Sequence, residues 1–418
     1  MSSRLLHMVK RRLGLLGAFA YSGANFALAF TLQASVTALE FGLYAFALVC
    51  IQFGTSLSNA LFASPMVVSL ADNDAPKDRL IASYFRANII FCALGALLIC
   101  GALSLMGMPP LQVWLVGLQA VFLWMRWFFR AYELAAHNFT MPALADIVYG
   151  VATLTCGTVL FALNGLDVTS ALISMSFGTV LSLFVIGKGT VRTVCRRASG
   201  SLQAYVDVFR QHGRWALLGV ITTEAMANLH SYVITIFLGP AAFAPVATLA
   251  LFFRPIPILM QAITQYERPV LARSFRAGDF GGMKRDVRKI HVLLAAAVLF
   301  NTLGVLGVIA FFPSLIGNGQ YATAILLPLA LLLAVGQLVR SLRTGSSAAL
   351  QGAGAYKPLA LVTVIAAPIT ILGTLVAIWI GQHTVALILT AVLLGEVVTA
   401  VLITRHFNAC MQPAGAPA

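Results

Sequence analysis

The segment "RWALLGVITTEAMANLHSYVITIFLGPAAFAPV", residues 214–246, aligns with "RLGLLGAFAYSGANFALAFTLQASVTALEFGLY", residues 12–44, at a constant offset of 202 positions. The identical pairs include Arg12 with Arg214, Leu15 with Leu217, Gly17 with Gly219 and Phe41 with Phe243. Further on, "AAHNFTMPALA" at 135–145 matches "LQGAGAYKPLA" at 350–360 around Pro142 and Pro358, at an offset of 216. These matches predict two related halves.

The composition places both halves in a membrane. The 418 residues are 60% hydrophobic and only 10% charged, with a mean hydropathy of +0.92. A soluble domain has about 25% charged residues. The net charge of +14 would suit a nucleic-acid partner only on a solvated basic face, but the basic residues lie between apolar blocks. The sequence therefore predicts a polytopic membrane protein and no nucleic acid as partner.

Motifs for bound cofactors are missing from the sequence. The six cysteines have neither paired nor metal-type spacing, and no nucleotide-binding or nucleophile motif occurs. We therefore expect no disulfide, no metal site and no cofactor.

Apolar blocks of about 20 residues, the length that crosses about 30 Å of hydrocarbon as helix, recur along the chain. The first block continues to about Leu32, which favours a retained span over a cleaved signal peptide. Because the number of blocks is even, both termini are expected on one side of the membrane. The twelve predicted spans are 13–34, 40–65, 84–107, 111–132, 141–163, 168–188, 215–238, 242–266, 289–312, 321–340, 358–380 and 384–404.

Lysine and arginine predict which side that is. Of the 27 basic residues, 26 lie at the amino terminus, in alternate connections or at the adjoining span ends. The opposite connections contain none, and cytoplasmic loops are the ones that accumulate positive charge. Both termini are therefore predicted to be cytoplasmic. Arg254 is the one basic residue that orientation does not explain.

The predicted organisation is all-α, with two six-helix lobes. The lobes are predicted at 1–190 and 214–408, a basic cytoplasmic linker at 191–213 and an unstructured tail at 409–418. Since each lobe has an even number of spans, the lobes share one orientation and are related by an axis along the membrane normal. In such transporters the substrate lies between the repeats near the midplane.

Three segments resemble a known superfamily. They are "ALEFGLYAFALVCIQFGTSLSNALFASPMV" at 38–67, "FFRAYELAAHNFTMPALADIV" at 128–148 and "SAALQGAGAYKPLALVTVI" at 347–365. The first is similar to a corner followed by a small-residue span, although Ala38 and Leu39 stand where many relatives have Gly-Pro. The other two are similar to a repeated helix-end motif. The chain thus resembles the multidrug/oligosaccharidyl-lipid/polysaccharide exporters, and among them the Wzx-like polysaccharide-unit flippases.

That resemblance implies a MATE-like fold, with two six-helix lobes around a central cavity lined mainly by spans 1, 2, 7 and 8. It implies alternating access that moves a polyprenyl-pyrophosphate-linked oligosaccharide across the bacterial inner membrane. The expected partners are this lipid-linked substrate, the membrane lipids and, as a further candidate, the polysaccharide-assembly machinery.

Arg254 lies in "LFFRPIPILM", 251–260, about 18 Å from the cytoplasmic edge at 1.5 Å per residue. An arginine at this depth costs at least about 2.5–3.5 kcal/mol, so it should face water or protein and have a partner. Pro255 and Pro257 remove backbone donors and bend the helix, which suits a cavity wall. We interpret Arg254 as a cation presented to an anionic head group. The alternative is a structural buried ion pair.

Glu224 in span 7 is the best candidate partner for Arg254, because it lies about 14 Å from the same edge. Such a pair would be a gate or a counter-ion that anionic substrate displaces. Asn228 and Ser231 follow Glu224 at i+4 and i+7 and share its face, where they could meet sugar hydroxyls. His230 lies off this stripe and is either a packing residue or a proton-linked group.

Neutral polar residues mark spans 1 and 2. Asn25 lies in span 1, and Gln52, Ser56 and Asn59 share one face of span 2 at i, i+4, i+7 spacing. They are candidate substrate contacts, but interhelical hydrogen bonding explains them equally well.

Arginines at the inner ends of spans 4 and 10 have two interpretations. Arg126 and Arg130 begin a stripe that continues through Glu133 and His137, and span 10 has Arg340 with Arg343 at the comparable place. The favoured interpretation is snorkelling to cytoplasmic head groups. The other is a basic vestibule that collects pyrophosphate groups. Asp146 and Glu396 can each pair with a neighbour that the sequence does not identify.

Two other functions compete with a flippase. A cation-coupled multidrug antiporter of the same superfamily would be expected to have acidic residues facing the cavity, but spans 1 and 2 have only Glu40, at their outer edge. A membrane glycan polymerase or acyltransferase needs catalytic groups in a substantial loop. The outer connections are short and offer only Glu40, Asp167 and His383. We therefore expect a transporter rather than an enzyme.

Overall fold

The structure is a computed structural model, and its described residues are 3–63, 65–66, 77–136, 138, 140–196, 202–210, 214–381 and 384–411. These residues are almost entirely helical, and they contain no strand. The predicted all-α membrane fold is confirmed. It divides into two compact units, Met1–Ile221 and Thr222–Ala418.

Seven helices form the first unit. A five-residue π-helical segment, Asn59–Ala63, directly follows the second of them. The helices are α1 Ser3–Ser35, α2 Ala38–Ser58, α3 Lys77–Leu105, α4 Pro110–Ala135, α5 Thr140–Asn164, α6 Val168–Arg196 and α7 Leu202–Val208.

The next helix, α8 Arg214–Val233, crosses the division between the units and continues as a π-helical segment, Ile234–Leu238. The remaining helices belong to the second unit. They are α9 Pro240–Phe253, α10 Pro255–Arg276, α11 Phe280–Phe311, α12 Thr323–Gly352, α13 Tyr356–Ile380 and α14 Thr384–Cys410.

In the described residues, each of the twelve predicted spans falls on helix, apart from one or two residues at some span ends and the break at Arg254. Nine helices in the described part of the chain are long and apolar enough to cross a membrane, and the bent pair α9 and α10 would make ten. Apart from the short α7, the helices outside this set are α1 and α8, and α8 carries the polar residues Glu224, Asn228 and His230. The lobe boundaries and the linker stay predictions, and residues 412–418 of the predicted tail lie outside the described residues.

Helix ends in the first unit are fixed by side-chain caps. Thr37 and Glu40 form a capping box: the Glu40 N–H donates to Thr37 Oγ1 at 3.3 Å and the Thr37 N–H donates to Glu40 Oε2 at 2.9 Å. Before α6, the Ser170 N–H donates to Asp167 Oδ1 at 2.7 Å. Partial burial raises the pKa of Asp167, but the Ser170 hydrogen bonds outweigh it and hold this pKa below its usual value. Glu40 and Asp167 therefore both act at the starts of helices.

Trp124 is tightly packed in the core of the first unit. Its ring is 1% exposed, and its Nε1–H donates to the Ile51 carbonyl at 3.1 Å. A Cβ on Gly54 would lie 2.1 Å from Cζ2 of the ring, and a Cβ on Gly95 would lie 2.7 Å from Cζ3. Glycines on α2 and α3 thus hold the indole from two sides, and the ring has no room to move.

The linker contributes a helix to this unit. Tyr205 of α7 stacks on Phe62 with ring centroids 5.6 Å apart, and its ring meets that of Tyr84 edge-on at 5.5 Å. The Tyr205 hydroxyl donates to the Leu61 carbonyl, in the π-helical segment, at 3.4 Å. Burial raises the pKa of the Tyr205 hydroxyl. Part of the predicted linker is therefore packed on the end of α2.

In the second unit, α12 packs against α10, α11 and α14, and α13 packs against α14. Buried residues of α11 and α12 form a shared apolar core with the end of α14. The predicted break of span 8 is confirmed, because α9 and the following helix meet at Arg254 with a bend of 50°.

The Trp124 packing predicts a specific sensitivity to one methyl group. We expect Gly54→Ala to destabilise the protein by about 1–3 kcal/mol, because the added Cβ overlaps a ring that cannot shift. Thermal unfolding of the purified protein in detergent would measure this loss.

The matched control is Gly23→Ala on α1, where a Cβ has nothing within 4 Å. In helix, this change should be neutral or stabilising by up to about 1 kcal/mol. Equal unfolding temperatures for the two variants would contradict the packing of Trp124.

Candidate functional site

Arg254 is the residue at which α9 ends and α10 begins. Its N–H donates to the Leu251 carbonyl at 3.1 Å, which closes the last turn of α9. Asn301 of α11 donates through Nδ2 to the Phe252 carbonyl at 3.1 Å. The break is therefore fixed by a turn before Arg254, by the missing donors of Pro255 after it, and by a side chain from a neighbouring helix.

The guanidinium of Arg254 is half-buried, and among the described residues it forms no ion pair and donates to no protein acceptor. In particular, the pair with Glu224 that the sequence suggested is not formed in this structure. The carboxylate of Glu224 accepts instead from Asn228 Nδ2 at 2.6 Å. Depth along the helices placed the two charges at one level, but the side chains do not meet.

The predicted stripe on α8 is only partly accessible. Glu224 and Asn228 are half-buried and hydrogen-bonded to each other. Ser231 is 3% exposed, and its carbonyl accepts from Thr235 Oγ1 at 2.6 Å. In this structure Glu224 and Asn228 can reach a ligand, and Ser231 cannot.

The polar face of α2 is confirmed as one face. Gln52 and Asn59 are exposed and Ser56 is half-buried. Amide side chains are unfavourable in hydrocarbon, so a membrane helix that exposes two of them on one side requires water or polar groups there.

Asn25 is buried and is used within the first unit. The Tyr149 hydroxyl donates to Asn25 Oδ1 at 2.7 Å, and Asn25 Nδ2 donates to the Tyr21 carbonyl at 2.9 Å. Asn25 thus ties α1 to α5. Of the two interpretations that the sequence left open, this structure shows interhelical hydrogen bonding.

The snorkelling interpretation is wrong for Arg126. Its side chain is buried, and it donates to Asp146 Oδ1, while Arg130 donates to Asp146 Oδ2. The Arg126 guanidinium also lies over the rings of Tyr21 and Tyr149, 5.0 and 5.1 Å from their centroids. One carboxylate therefore holds two arginines near the C-terminal end of α4. His137, the last member of the predicted stripe, lies outside the described residues.

The second unit repeats this arrangement with different helices. Arg340 Nε and Arg343 Nη1 lie 3.1 Å from the two oxygens of Glu396, whose side chain is 2% exposed. Arg340 also donates to the Ala227 carbonyl of α8 at 3.5 Å. At the offset of 202 found in the repeat, Ala227 corresponds to Asn25, which accepts a hydrogen bond from Tyr149 of the first cluster.

Tyr21 and Tyr149 belong to the cluster around Asp146, but the sequence did not identify them. The available signal was spacing: Tyr21 precedes Asn25 by four residues, and Tyr149 follows Asp146 by three, so each shares a helix face with a polar partner. Because aromatic residues are common in membrane spans, this signal is weak without a structure.

The shared carboxylate of the first unit predicts a large loss of stability when it is neutralised. We expect Asp146→Asn to cost about 3–5 kcal/mol, because the buried Arg126 and the half-buried Arg130 lose their counter-ion. Thermal unfolding in detergent would measure the effect.

The control is Asp286→Asn, which removes an exposed pair with Lys289 at 3.0 Å. A surface pair of this spacing is worth about 0.3–0.5 kcal/mol. If both variants unfolded at the same temperature, Asp146 would not have the role assigned to it.

Comparison of this structure with solved structures identifies proteins of the same fold, whereas comparison of the sequence finds no match. No protein-family model matches the sequence, and no curated protein matches it. Among solved structures, an inward-facing multidrug resistance MATE family transporter of the MOP superfamily is similar, with a TM-score of 0.71 and 12% identity over 95% of this chain and 96% of the other.

Two further structures extend the comparison. The lipid II flippase MurJ, in an inward closed conformation, has a TM-score of 0.70 and 11% identity over 97% of this chain and 88% of its own. A eukaryotic MATE transporter has a TM-score of 0.63 and 17% identity over 97% and 98% of the two chains. The chain is thus a multi-pass membrane protein with the fold that MATE transporters share with the lipid II flippase.

Proposed function

We propose that this protein is a flippase that moves polyprenyl-pyrophosphate-linked oligosaccharides across the bacterial inner membrane by alternating access, with both termini in the cytoplasm. The observation that carries this proposal is Arg254, a cation within a broken span that has no counter-ion among the described residues. An arginine inside the membrane is unfavourable by at least about 2.5–3.5 kcal/mol. A ligand that supplies negative charge offsets this cost.

The chemistry of the guanidinium favours a phosphate ligand. Its planar fork of donors matches phosphate oxygens in a bidentate geometry, which a point charge such as ammonium does not offer. Arg254 is the residue between α9 and α10, whose axes differ in direction by 50°. Its side chain therefore starts from the bend of the broken span. We assign it the contact with the pyrophosphate.

Neutral amides are suited to the glycan. We assign the sugar hydroxyls to Gln52 and Asn59 of α2, which are exposed, and to Asn228 of α8, which is half-buried. Amides both donate and accept hydrogen bonds, so they can bind several hydroxyl orientations. The fold likeness to a lipid II flippase supports a lipid-linked substrate.

Four other arginines of the spans already have counter-ions, which supports Arg254 as the residue that binds the anion. Arg126, Arg130, Arg340 and Arg343 are held by Asp146 and Glu396. A vestibule built from these four arginines, the other interpretation of the sequence, would have to break two buried clusters. Arg254 needs no such rearrangement to bind an anion.

A cation-coupled multidrug antiporter is the second candidate function. The observation that favours it is Glu224, a half-buried carboxylate on α8 in a chain with the MATE fold. Asp146 and Glu396 are poorly suited to bind a drug or a coupling cation, because each already contacts two guanidiniums. The antiporter hypothesis therefore depends on Glu224, and the flippase hypothesis depends on Arg254.

The flippase hypothesis predicts a loss of phosphate recognition in Arg254→Ala. We expect polyprenyl pyrophosphate to bind the purified variant about 10- to 100-fold more weakly, the effect of losing a charged hydrogen bond of about 1.5–3 kcal/mol. Arg254→Lys should restore part of the affinity, because lysine keeps the charge but not the fork. Thermophoresis in detergent would measure binding.

The control variant is Arg405→Ala, which removes an exposed arginine at the end of α14. The control ligand is the same polyprenol without phosphate. Wild type should prefer the pyrophosphate, and Arg254→Ala should lose this preference while Arg405→Ala keeps it. An unchanged preference in Arg254→Ala would refute the assigned contact.

The antiporter hypothesis has its own test. In proteoliposomes with an imposed proton or sodium gradient, Glu224→Gln should abolish uptake of a cationic dye if this chain exports drugs. We expect no gradient-driven dye transport by wild type. Transport that depends on Glu224 and survives Arg254→Ala would replace the flippase by the antiporter.

A further inference from the structure

One face of α11 changes its chemistry along the helix. At the start of the helix, Lys284, Arg285, Arg288 and Lys289 are all exposed. The opposite face is buried in the apolar core of the second unit through Met283, Val287, Ile290 and Leu294. Because the opposite face is buried, the packing of α11 determines which side of the helix presents the cations.

Further along the helix, this same face becomes apolar. Val292 and Leu293, one turn beyond Arg288 and Lys289, are 63% and 55% exposed. The exposed positions then continue with Leu299, Phe300 and Leu303 at 61%, 81% and 60%. Because the spacing of three and four residues is kept throughout, a single exposed face is basic over its first turns and apolar over the rest.

The basic part of this face keeps most of its charge. Asp286 pairs with Lys289 at 3.0 Å, and in the described part of the chain Lys284, Arg285 and Arg288 form no ion pair. Four cations and one carboxylate give a net charge of +3 over 284–289. This differs from the arginines of α4 and α12, which carboxylates hold inside their units.

We propose that this face of α11 binds an anionic phospholipid of the surrounding bilayer. The phosphate lies against Arg285, Arg288 and Lys289, and the acyl chains lie along Val292, Leu293 and the apolar positions beyond. The boundary between charge and hydrocarbon on the helix falls within one turn, as the boundary between head group and acyl chain does on a phospholipid. Charge complementarity selects anionic over zwitterionic head groups.

A polyprenyl-pyrophosphate lipid shares the phosphate chemistry, so the two lipids must be distinguished by the rest of the face. The face consists of exposed side chains on one packed helix, and beyond the cations and Asp286, which is paired with Lys289, its exposed residues offer no polar side chain for a glycan. Its apolar part is broad, with exposed pairs of residues at successive turns. These features suit an annular phospholipid with two acyl chains, and the substrate contact stays with Arg254.

The test compares two triple variants of equal charge. In the first, Arg285→Gln, Arg288→Gln and Lys289→Gln neutralise the face; in the second, Arg268→Gln, Arg273→Gln and Arg276→Gln neutralise exposed arginines of α10. Phosphatidylglycerol and phosphatidylcholine with identical acyl chains are titrated into detergent-solubilised protein, and bound lipid is counted by native mass spectrometry.

We expect wild type and the α10 variant to prefer phosphatidylglycerol. Each cation removed from the α11 face should weaken phosphatidylglycerol binding about fivefold, so the first triple variant should lose about 100-fold and bind both lipids alike. Equal losses of phosphatidylglycerol binding in the two triple variants would show diffuse electrostatic attraction rather than a site. If the first triple variant still preferred phosphatidylglycerol, the proposed site on α11 would be wrong.

Two further measurements on wild type keep the proposal testable if a variant does not fold. The preference for phosphatidylglycerol should fall as sodium chloride rises, because exposed cations are screened. A preference that salt leaves unchanged would contradict the proposal. Polyprenyl pyrophosphate added at equal concentration should leave bound phosphatidylglycerol in place; its displacement would assign the face to the transported lipid instead.

Discussion

Each unit depends on one buried carboxylate that binds two arginines. Inside a membrane an isolated charge has no water to stabilise it, so a guanidinium on a span must find a partner or face an aqueous space. Asp146 and Glu396 provide that partner in the C-terminal halves of α4 and α12. Because the arginines also contact α1 and α8, through Tyr21 and the Ala227 carbonyl, each cluster fixes the position of the first helix of its half. The repeated sequence has thus kept an interaction while changing the helix that supplies the acid.

Arg254 differs from these arginines because its helix is broken beside it. The prolines after it remove hydrogen bonds that a continuous span would keep, and Asn301 stabilises the carbonyl of Phe252 from a neighbouring helix. The result is a fixed bend with one cation at its vertex. The bend fixes the backbone of Arg254, so binding an anion there has to order only the side chain.

Much of this fold was predictable from the sequence, because lengths and charge asymmetry are properties of the chain alone. The helices, the bend at Arg254 and the shared face of Gln52 and Asn59 follow from hydropathy, proline positions and helical spacing. Spacing gives a residue its depth and its face but not the neighbour toward which that face is turned. Depth alone made Arg126 a candidate for snorkelling, yet Asp146 lies beside it on α5 and holds it inside. For the same reason, equal depth did not make Glu224 a partner of Arg254.

The π-helical segment after α2 changes how a seven-residue repeat maps onto the faces of this span. Gln52 and Asn59 are seven residues apart, and both are exposed. Asn59 is also the first residue of the π-helical segment, and a π-turn holds one extra residue, which rotates later positions by about 100° relative to the α-helical register. Phe62, inside this segment, is buried and packs on Phe91, Phe128 and Tyr205. The extra residue thus acts as a phase shift at the point where the polar face of the span ends and its aromatic core begins.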